Sequence, residues 1–416
     1  MGFLKVAVAL QLLLSSVSTA VPTGSFGLDK KADSYSSTIY DAVVVGGGPA
    51  GLSAVSGLAR VRRNVLLIDS GVYRNDPTRH MHDVIGTDGV SPAYFRWKAR
   101  GQLSYYPSAL LINGTVSKID VAGNNTQGAA PFTVYTTFSS GEAGNVGART
   151  VILATGLSDI IPGTPGIQQN WGKGIFWCPW CDGNEHADQP LGILSNLNEA
   201  ASLVQEISTL NNDIIAFVNG TNTPEMRAET DKKFPGWEQY LELHNITVEN
   251  RTIAGLVRLA DGGANEHPEA PTFPEHDLFR VDFTEGPSVE RAAFFASFPN
   301  KQHSNVGADM GVRLDGGRLA ADGTKGLMTN IPGVYAIGDA NADNVTNVPH
   351  AMFSGKRAAV FLHVALARQE TAALLAQNNG TSVEERDLDF ELDPRAIWQD
   401  MNGGEADILD AGDFDQ

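Results

Sequence analysis

At 416 residues, with 42% hydrophobic and 19% charged side chains, the chain has material for two or three domains and a real core. That composition excludes a disordered, collagenous or fibrous protein, and a net charge of −18 would repel a nucleic-acid backbone. Two cysteines are too few for a disulfide scaffold or a four-cysteine zinc site.

The first 20 residues read as a secretory signal. Lys5 gives the positive start, Val6 to Leu14 the apolar run, and Ser18-Thr19-Ala20 the small-x-small cleavage pattern. The run is far shorter than the ~20 residues a spanning helix needs. No other segment reads as approaching that length, so no membrane partner is expected. Residues 21–37 read as flexible or as a propeptide, with Lys30-Lys31 as its processing site. Asn113, Asn124, Asn219, Asn245, Asn250, Asn344 and Asn379 each stand two residues before Thr, the glycan-acceptor pattern of a secreted, extracellular protein.

The apolar run Tyr40 to Val45 predicts a buried parallel strand. It enters Gly46-Gly47-Gly48-Pro49-Ala50-Gly51, then Leu52, Val55 and Leu58 at helical spacing, then a second strand, Val65 to Asp69, followed by Ser70. This is a βαβ dinucleotide fingerprint. Gly46 serves the tight turn, Gly48 the approach of a pyrophosphate to the helix N-terminus, Gly51 the helix–strand packing, and Asp69 the ribose hydroxyls. The motif alone does not choose between FAD and NAD. A further strand, Val151 to Leu153, ends in Ala154-Thr155-Gly156, and another near the far end finishes in Gly338-Asp339.

Both cysteines lie in Phe176-Trp177-Cys178-Pro179-Trp180-Cys181-Asp182-Gly183. At i and i+3 on a first helical turn their sulfurs can bridge, and so short a loop adds little stability. The pair is therefore read as cycling between dithiol and disulfide. A structural disulfide and a metal site using His186 are the alternatives, and no second ligand pair supports a metal. Phe176, Trp177 and Trp180 suggest an aromatic rim.

The three strand-end segments resemble the two-dinucleotide-domain flavoprotein reductases, and Cys-Pro-Trp-Cys-Asp-Gly resembles the active site of the low-molecular-weight thioredoxin reductase group. The resemblance spans about residues 38–375 and implies an α/β fold with FAD as cofactor and a homodimer. It implies that Cys181 passes electrons to the isoalloxazine, Cys178 meets the substrate thiol, and Asp182 moves a proton. By the same resemblance Asp339 holds the ribityl-phosphate part of FAD. It also sets the helix after Pro349-His350-Ala351 against the flavin, with His350 as a base or a hydrogen-bonder of FAD. The expected layout is a discontinuous FAD domain at 38–160 and 290–375, an inserted domain at 161–289, and an acidic tail at 376–416. From Gln377 onward that tail carries twelve acidic and two basic residues.

The inserted domain departs from the reductase pattern. After Leu191 to Leu194 comes Ser195-Asn196-Leu197-Asn198, with no Gly-x-Gly-x-x-Gly turn, and Thr221 to Thr223 is neutral where a 2′-phosphate would need cations. Without NADPH, electrons must enter at the cysteines and leave to O2, forming H2O2. This inverted direction resembles the secreted fungal FAD-dependent sulfhydryl oxidases and the related dithiol oxidases of gliotoxin-type metabolites. Arg74-Asn75, His80-Met81-His82 and Gly86-Thr87-Asp88-Gly89 also look like that branch, with Arg74, Asn75 and His82 near the cofactor. Oxidation of small thiols such as glutathione is expected. A metabolite-specific dithiol oxidase, an NADPH-dependent reductase and a non-catalytic flavin carrier are the alternatives.

Overall fold

The computed structural model describes residues 38–122, 130–264 and 270–379. The signal-like run, residues 21–37, Asn124 and the acidic tail beyond 379 lie outside the described residues.

Strand β1 (Ile39–Val45) leads through the glycine turn into helix α1 (Pro49–Arg60) and strand β2 (Val65–Asp69). Helix α2 (Pro92–Leu103) and strands β3 (Ala109–Val121), β4 (Phe132–Phe138) and β5 (Ala143–Leu153) follow. β3 and β5 are long because each serves two partners. β3 pairs in parallel with β2 through Asn113, then antiparallel with β4 from Gly114. β5 pairs antiparallel with β4, then in parallel with β1.

The chain then crosses into a second body. Its elements are β6 (Ile175–Phe176), a short helix α3 (Pro179–Asp182), β7 (Leu191–Leu194), α4 (Leu197–Ile207), β8 (Ile214–Phe217) and β9 (Thr247–Glu249). Strands β10 (Ile253–Ala260), β11 (Leu278–Phe283), β12 (Val289–Arg291) and β13 (Ala293–Ala296) complete it. The second sheet runs β9-β8-β7-β13-β6, all parallel, and β10-β11-β12 form a separate antiparallel sheet. The chain returns through Asn300–Gln302, which pairs antiparallel with the outgoing Leu157–Asp159, so the two crossings brace each other. β14 (Val334–Ala336) then joins the first sheet beside β5, and α5 (Val348–Asn379) closes the described chain.

The expected boundary at 289/290 is corrected. β13 is an interior strand of the second sheet, between β7 and β6, and the first body resumes only after the crossing at Asn300–Gln302. Its run of Ala293 to Ala296 is buried on both faces, which sequence periodicity cannot assign to one sheet or the other.

β1 shows why the strands read as unbroken apolar runs. Val43 and Val45 pack on one side of the sheet, Ala42 and Val44 on the other, under α1 and α5. Each large side chain buried this way contributes roughly 1.5–3 kcal/mol. One sequence expectation fails here: Val348–Gln377 is long and apolar enough to cross a membrane by length and composition. Its Ala358, Ala359, Leu362 and Leu366 are buried with Val55 and Leu58 of α1, and Arg63 donates to its Glu370. Those contacts pack one face of its first half, and Glu370, against the first body.

Candidate functional site

The site is a cleft on the first sheet, floored by the strand ends and reached by α3 from the second body. Gly46 turns the chain there with φ +110°, and a Cβ on it would stand 2.3 Å from Ala154 O, so only glycine lets β1 and the Ala154-Thr155-Gly156 segment meet. A Cβ on Gly51 would strike Gly46 O at 2.0 Å, so Gly51 packs beneath the turn and does not line the cleft. At Gly48 a Cβ would meet nothing within 4 Å, and no side chain caps α1. The helix N-terminus therefore opens onto free space with Pro49 and Ala50 at its rim, a cradle suited to an anion.

Asp69, 2% exposed, accepts from Gly71 N–H (3.1 Å), Tyr73 O–H (2.5 Å) and the Arg100 guanidinium (2.8 Å). Tyr73's own burial, then the charge and hydrogen bond of Asp69, push its phenol well above its ordinary value, with Arg96 and Arg100 opposing. Ser70, Asn75, Gly156 and Gly338 line the same cleft. Arg74 clamps its middle: the guanidinium grips Asp159 at 2.9 and 2.7 Å, reaches Asp339 at 3.0 Å, and lies over the Trp177 ring. Burial raises the Asp339 carboxyl even against Arg74.

Cys178 and Cys181 are joined in a disulfide, with Cα atoms 5.2 Å apart. Cys178 caps α3, its carbonyl accepting from Cys181 N–H and Asp182 N–H. Cys181, Trp177 and Asp182 line the cleft, whereas Cys178 does not. Of the two bonded residues, Cys181 is therefore the one that meets the cleft. Trp180, between the two cysteines in sequence, is 70% exposed. Phe176, expected at the rim, is buried at 2% against Phe295 and His186, a correction that follows from its place in β6. Asp182 is buried, and its carboxyl is held well above the ordinary range by desolvation, then by Glu185 and Glu275, with Arg79 opposing.

His350 is the second correction. The first turn of α5 presents Pro349 and Ala351 to the cleft but turns His350 into a separate hollow with Phe353 and Arg357. There its Nε2 lies 2.7 Å from Asp343 Oδ2, while Asn347 Oδ1 caps its N–H. Neither the base role nor a direct bond to FAD fits that position.

Sequence reasoning missed Thr346, His303, Ser304 and Ser354. The first three line the cleft; His303 arrives on the return crossing, where its Nδ1 meets Ser158 Oγ at 2.8 Å. Ser354, wholly buried, accepts Gly338 N–H at 2.9 Å and fixes the Gly-Asp turn on α5. No local signal marks them, because each is placed by a contact between distant segments. His186, Glu275 and Asp277 bring ligand-type atoms within 4.8 Å of one another, but Arg79 donates to both carboxylates and Arg258 to Asp277, so cations already fill that cluster.

The cleft fits a flavin dinucleotide on the chain's own features. Gly48 and the open α1 terminus suit a pyrophosphate, and the α5 terminus projects Val348 and Pro349 inward. The Thr155 hydroxyl, buried in the lining with no partner, asks for a polar group from outside.

Fold and site together define a flavoprotein of the disulfide-oxidoreductase type. The pattern of the pyridine nucleotide-disulphide oxidoreductase family matches residues 40–204. A probable thioredoxin reductase of Arthroderma benhamiae is 47% identical over 344 residues, 82% of this chain and 83% of that protein. Thioredoxin reductase tcpT of Claviceps purpurea is 29% identical over 83% of this chain and 97% of its own length. The solved structure of HlmI superposes with a TM-score of 0.67 at 27% identity, covering 82% of this chain and 98% of HlmI. The chain belongs to the thioredoxin-reductase-like family of FAD oxidoreductases, and FAD is its cofactor.

Proposed function

We propose that the protein is a secreted thiol oxidase that joins small thiols into disulfides and passes their electrons to O2: 2 RSH + O2 → RSSR + H2O2. One observation carries the reading. In the second body, the helix terminus that a nicotinamide dinucleotide would need is spent on the protein itself, since Leu197 N–H, opening α4, donates to Thr221 Oγ1 at 3.0 Å. Gly192, the nearest glycine, lies inside β7, where a Cβ would strike Phe294 at 2.4 Å. Asn250 Oδ1 holds Asn222 N–H at 2.9 Å across the loop where a 2′-phosphate would otherwise dock.

A substrate thiolate attacks Cys178 Sγ, forming a mixed disulfide and breaking the bond to Cys181, which leaves as thiolate beside Asp182. The Asp182 carboxyl, pushed by burial toward its protonated form, lines the same cleft and can neutralise it. A second thiolate attacks the mixed disulfide, releases RSSR and leaves the Cys178–Cys181 dithiol. Bound FAD supplies the remaining chemistry, taking two electrons from the dithiol and yielding them to O2. Ser70, Arg74, Asn75, Thr155 and Asp339 are the residues we assign to holding it, with His82 at the cleft wall.

Export is supported by the described sequons: Asn113, Asn219, Asn245, Asn250 and Asn344 are all exposed, three of them at positive φ in turns. The relatives' names favour a second reading, an NADPH-dependent reductase. An oxygen electrode separates the two. Thiol-dependent O2 uptake with one H2O2 per disulfide supports the oxidase, and turnover that requires NADPH refutes it.

A further inference from the structure

Asp182 poses a problem of access. It must regain its proton in every cycle, yet it is buried, and its open side faces the cleft that the cofactor fills. Behind it lies a hollow of about 10 Å³, room for one water, and three residues border both spaces: His80, His82 and Asp182. Glu185 and Glu275 close the far wall.

Of the hollow's imidazoles, only one is poised between a buried and a solvent-reaching carboxylate. His82 holds Nε2 3.6 Å from Glu185 Oε1 and Nδ1 3.6 Å from Asp88 Oδ2; the Glu185 side chain is 5% exposed and that of Asp88 35%. His80 has Nδ1 committed to Gly89 O at 3.0 Å, and His186, 1% exposed, has Nδ1 on Asp182 O and no exit. Arg79 binds Glu275 and Asp277, so those carboxylates are neutralised in place. Glu185 has no arginine or lysine partner among the described residues; Thr272 O–H and His82 are what face it.

We propose that the proton of Asp182 is exchanged with solvent through this hollow, by way of Glu185 and His82, to Asp88 at the surface. Once Asp182 has given its proton to the Cys181 thiolate, the hollow's water passes one to Asp182 from His82 Nε2–H, with Glu185 holding that water. His82 Nδ1 takes a proton from solvent beside Asp88 as Nε2 gives its own up, so the ring stays neutral, and a ring flip or proton exchange with solvent then restores the Nε2–H tautomer. The gaps of 3.6 Å exceed a direct hydrogen bond and are closed by a small ring rotation or a bridging water. His82 acts through Asp182 and is a positioning and relay residue. The inference rests on the dithiol–disulfide cycle of the proposed reading and on neither of its electron acceptors.

The test follows the disulfide, not turnover. The flavin-loaded protein is mixed with dithiothreitol without O2 or NADPH, quenched with an alkylating agent, and the labelled cysteines are counted by mass spectrometry across pH. H82A is expected to slow reduction about tenfold near neutral pH, with a displaced pH profile, and added imidazole is expected to restore most of it. D88N is expected to lose about two- to fivefold, being replaceable by bulk water. Wild-type rates and profile in H82A, or a loss that imidazole leaves untouched, overturn the path. Should H82A fail to fold, E185Q carries the same test: a displaced profile supports the path and an unchanged one overturns it. Because O2 is absent, the path can fail with the oxidase intact, and the oxidase can fail with the path intact.

Discussion

Arg74 offers the most quantitative test of the site. Its guanidinium, in a side chain 13% exposed, spans Asp159 (6%) and Asp339 (19%) with contacts of 2.7 and 3.0 Å, joining the crossing strand to the Gly-Asp turn. Arg74→Met keeps much of the volume and leaves two buried carboxylates without a cation. Removing one partner of a buried ion pair costs about 3–5 kcal/mol. At about 2 °C per kcal/mol for a chain of this size, the melting temperature falls by about 6–10 °C near neutral pH. The sign with pH follows. Burial already raises the Asp339 carboxyl against Arg74, and losing the cation raises it further, so the added penalty is present above the unfolded value and fades as pH falls toward about 4. Arg74→Lys keeps the charge but not the fork, and lands between. Thermal unfolding by circular dichroism at several pH values reads all three proteins. A neutral-pH deficit under about 1 kcal/mol, or one that grows on acidification, refutes the reasoning.

Asp182→Asn should slow disulfide reduction about 100-fold, read by rapid quench. Because burial raises the folded-state pKa of Asp182, its ionisation costs stability as pH rises through that value, so the amide should also melt higher at alkaline pH than wild type. Gly51→Val, whose Cβ would meet Gly46 O, should give protein without bound flavin, visible as loss of the yellow band on purification. His350→Ala, outside the cleft, should keep thiol turnover within about twofold of wild type; a larger loss would return the ring to the chemistry.

What the sequence disclosed, and what it did not, follows the range of the contacts. The turn from Gly46 to Gly51 and the Cys178–Cys181 pair are local, and their spacing alone states their geometry. The Ala154 and Gly338 strand ends were legible because buried parallel strands run unbroken in apolar residues. The failures are all matters of pairing or rotation. β13 could not be assigned to a sheet from its own composition, since its partners β6 and β7 lie over 90 residues upstream. His350 sits in the expected helix turn, but no residue spacing says which way the first turn of a long helix faces. The hollow behind Asp182 is lined by His82 and Glu275 from distant segments, and only folding brings them to it.

The direction of electron flow is settled by one anaerobic titration of the purified flavoprotein followed by its visible absorbance. The account predicts that glutathione or dithiothreitol discharges the flavin colour, that NADPH in excess leaves it unchanged, and that air restores it with H2O2 appearing. Prompt loss of the colour on adding NADPH, with thiols inert, would contradict it.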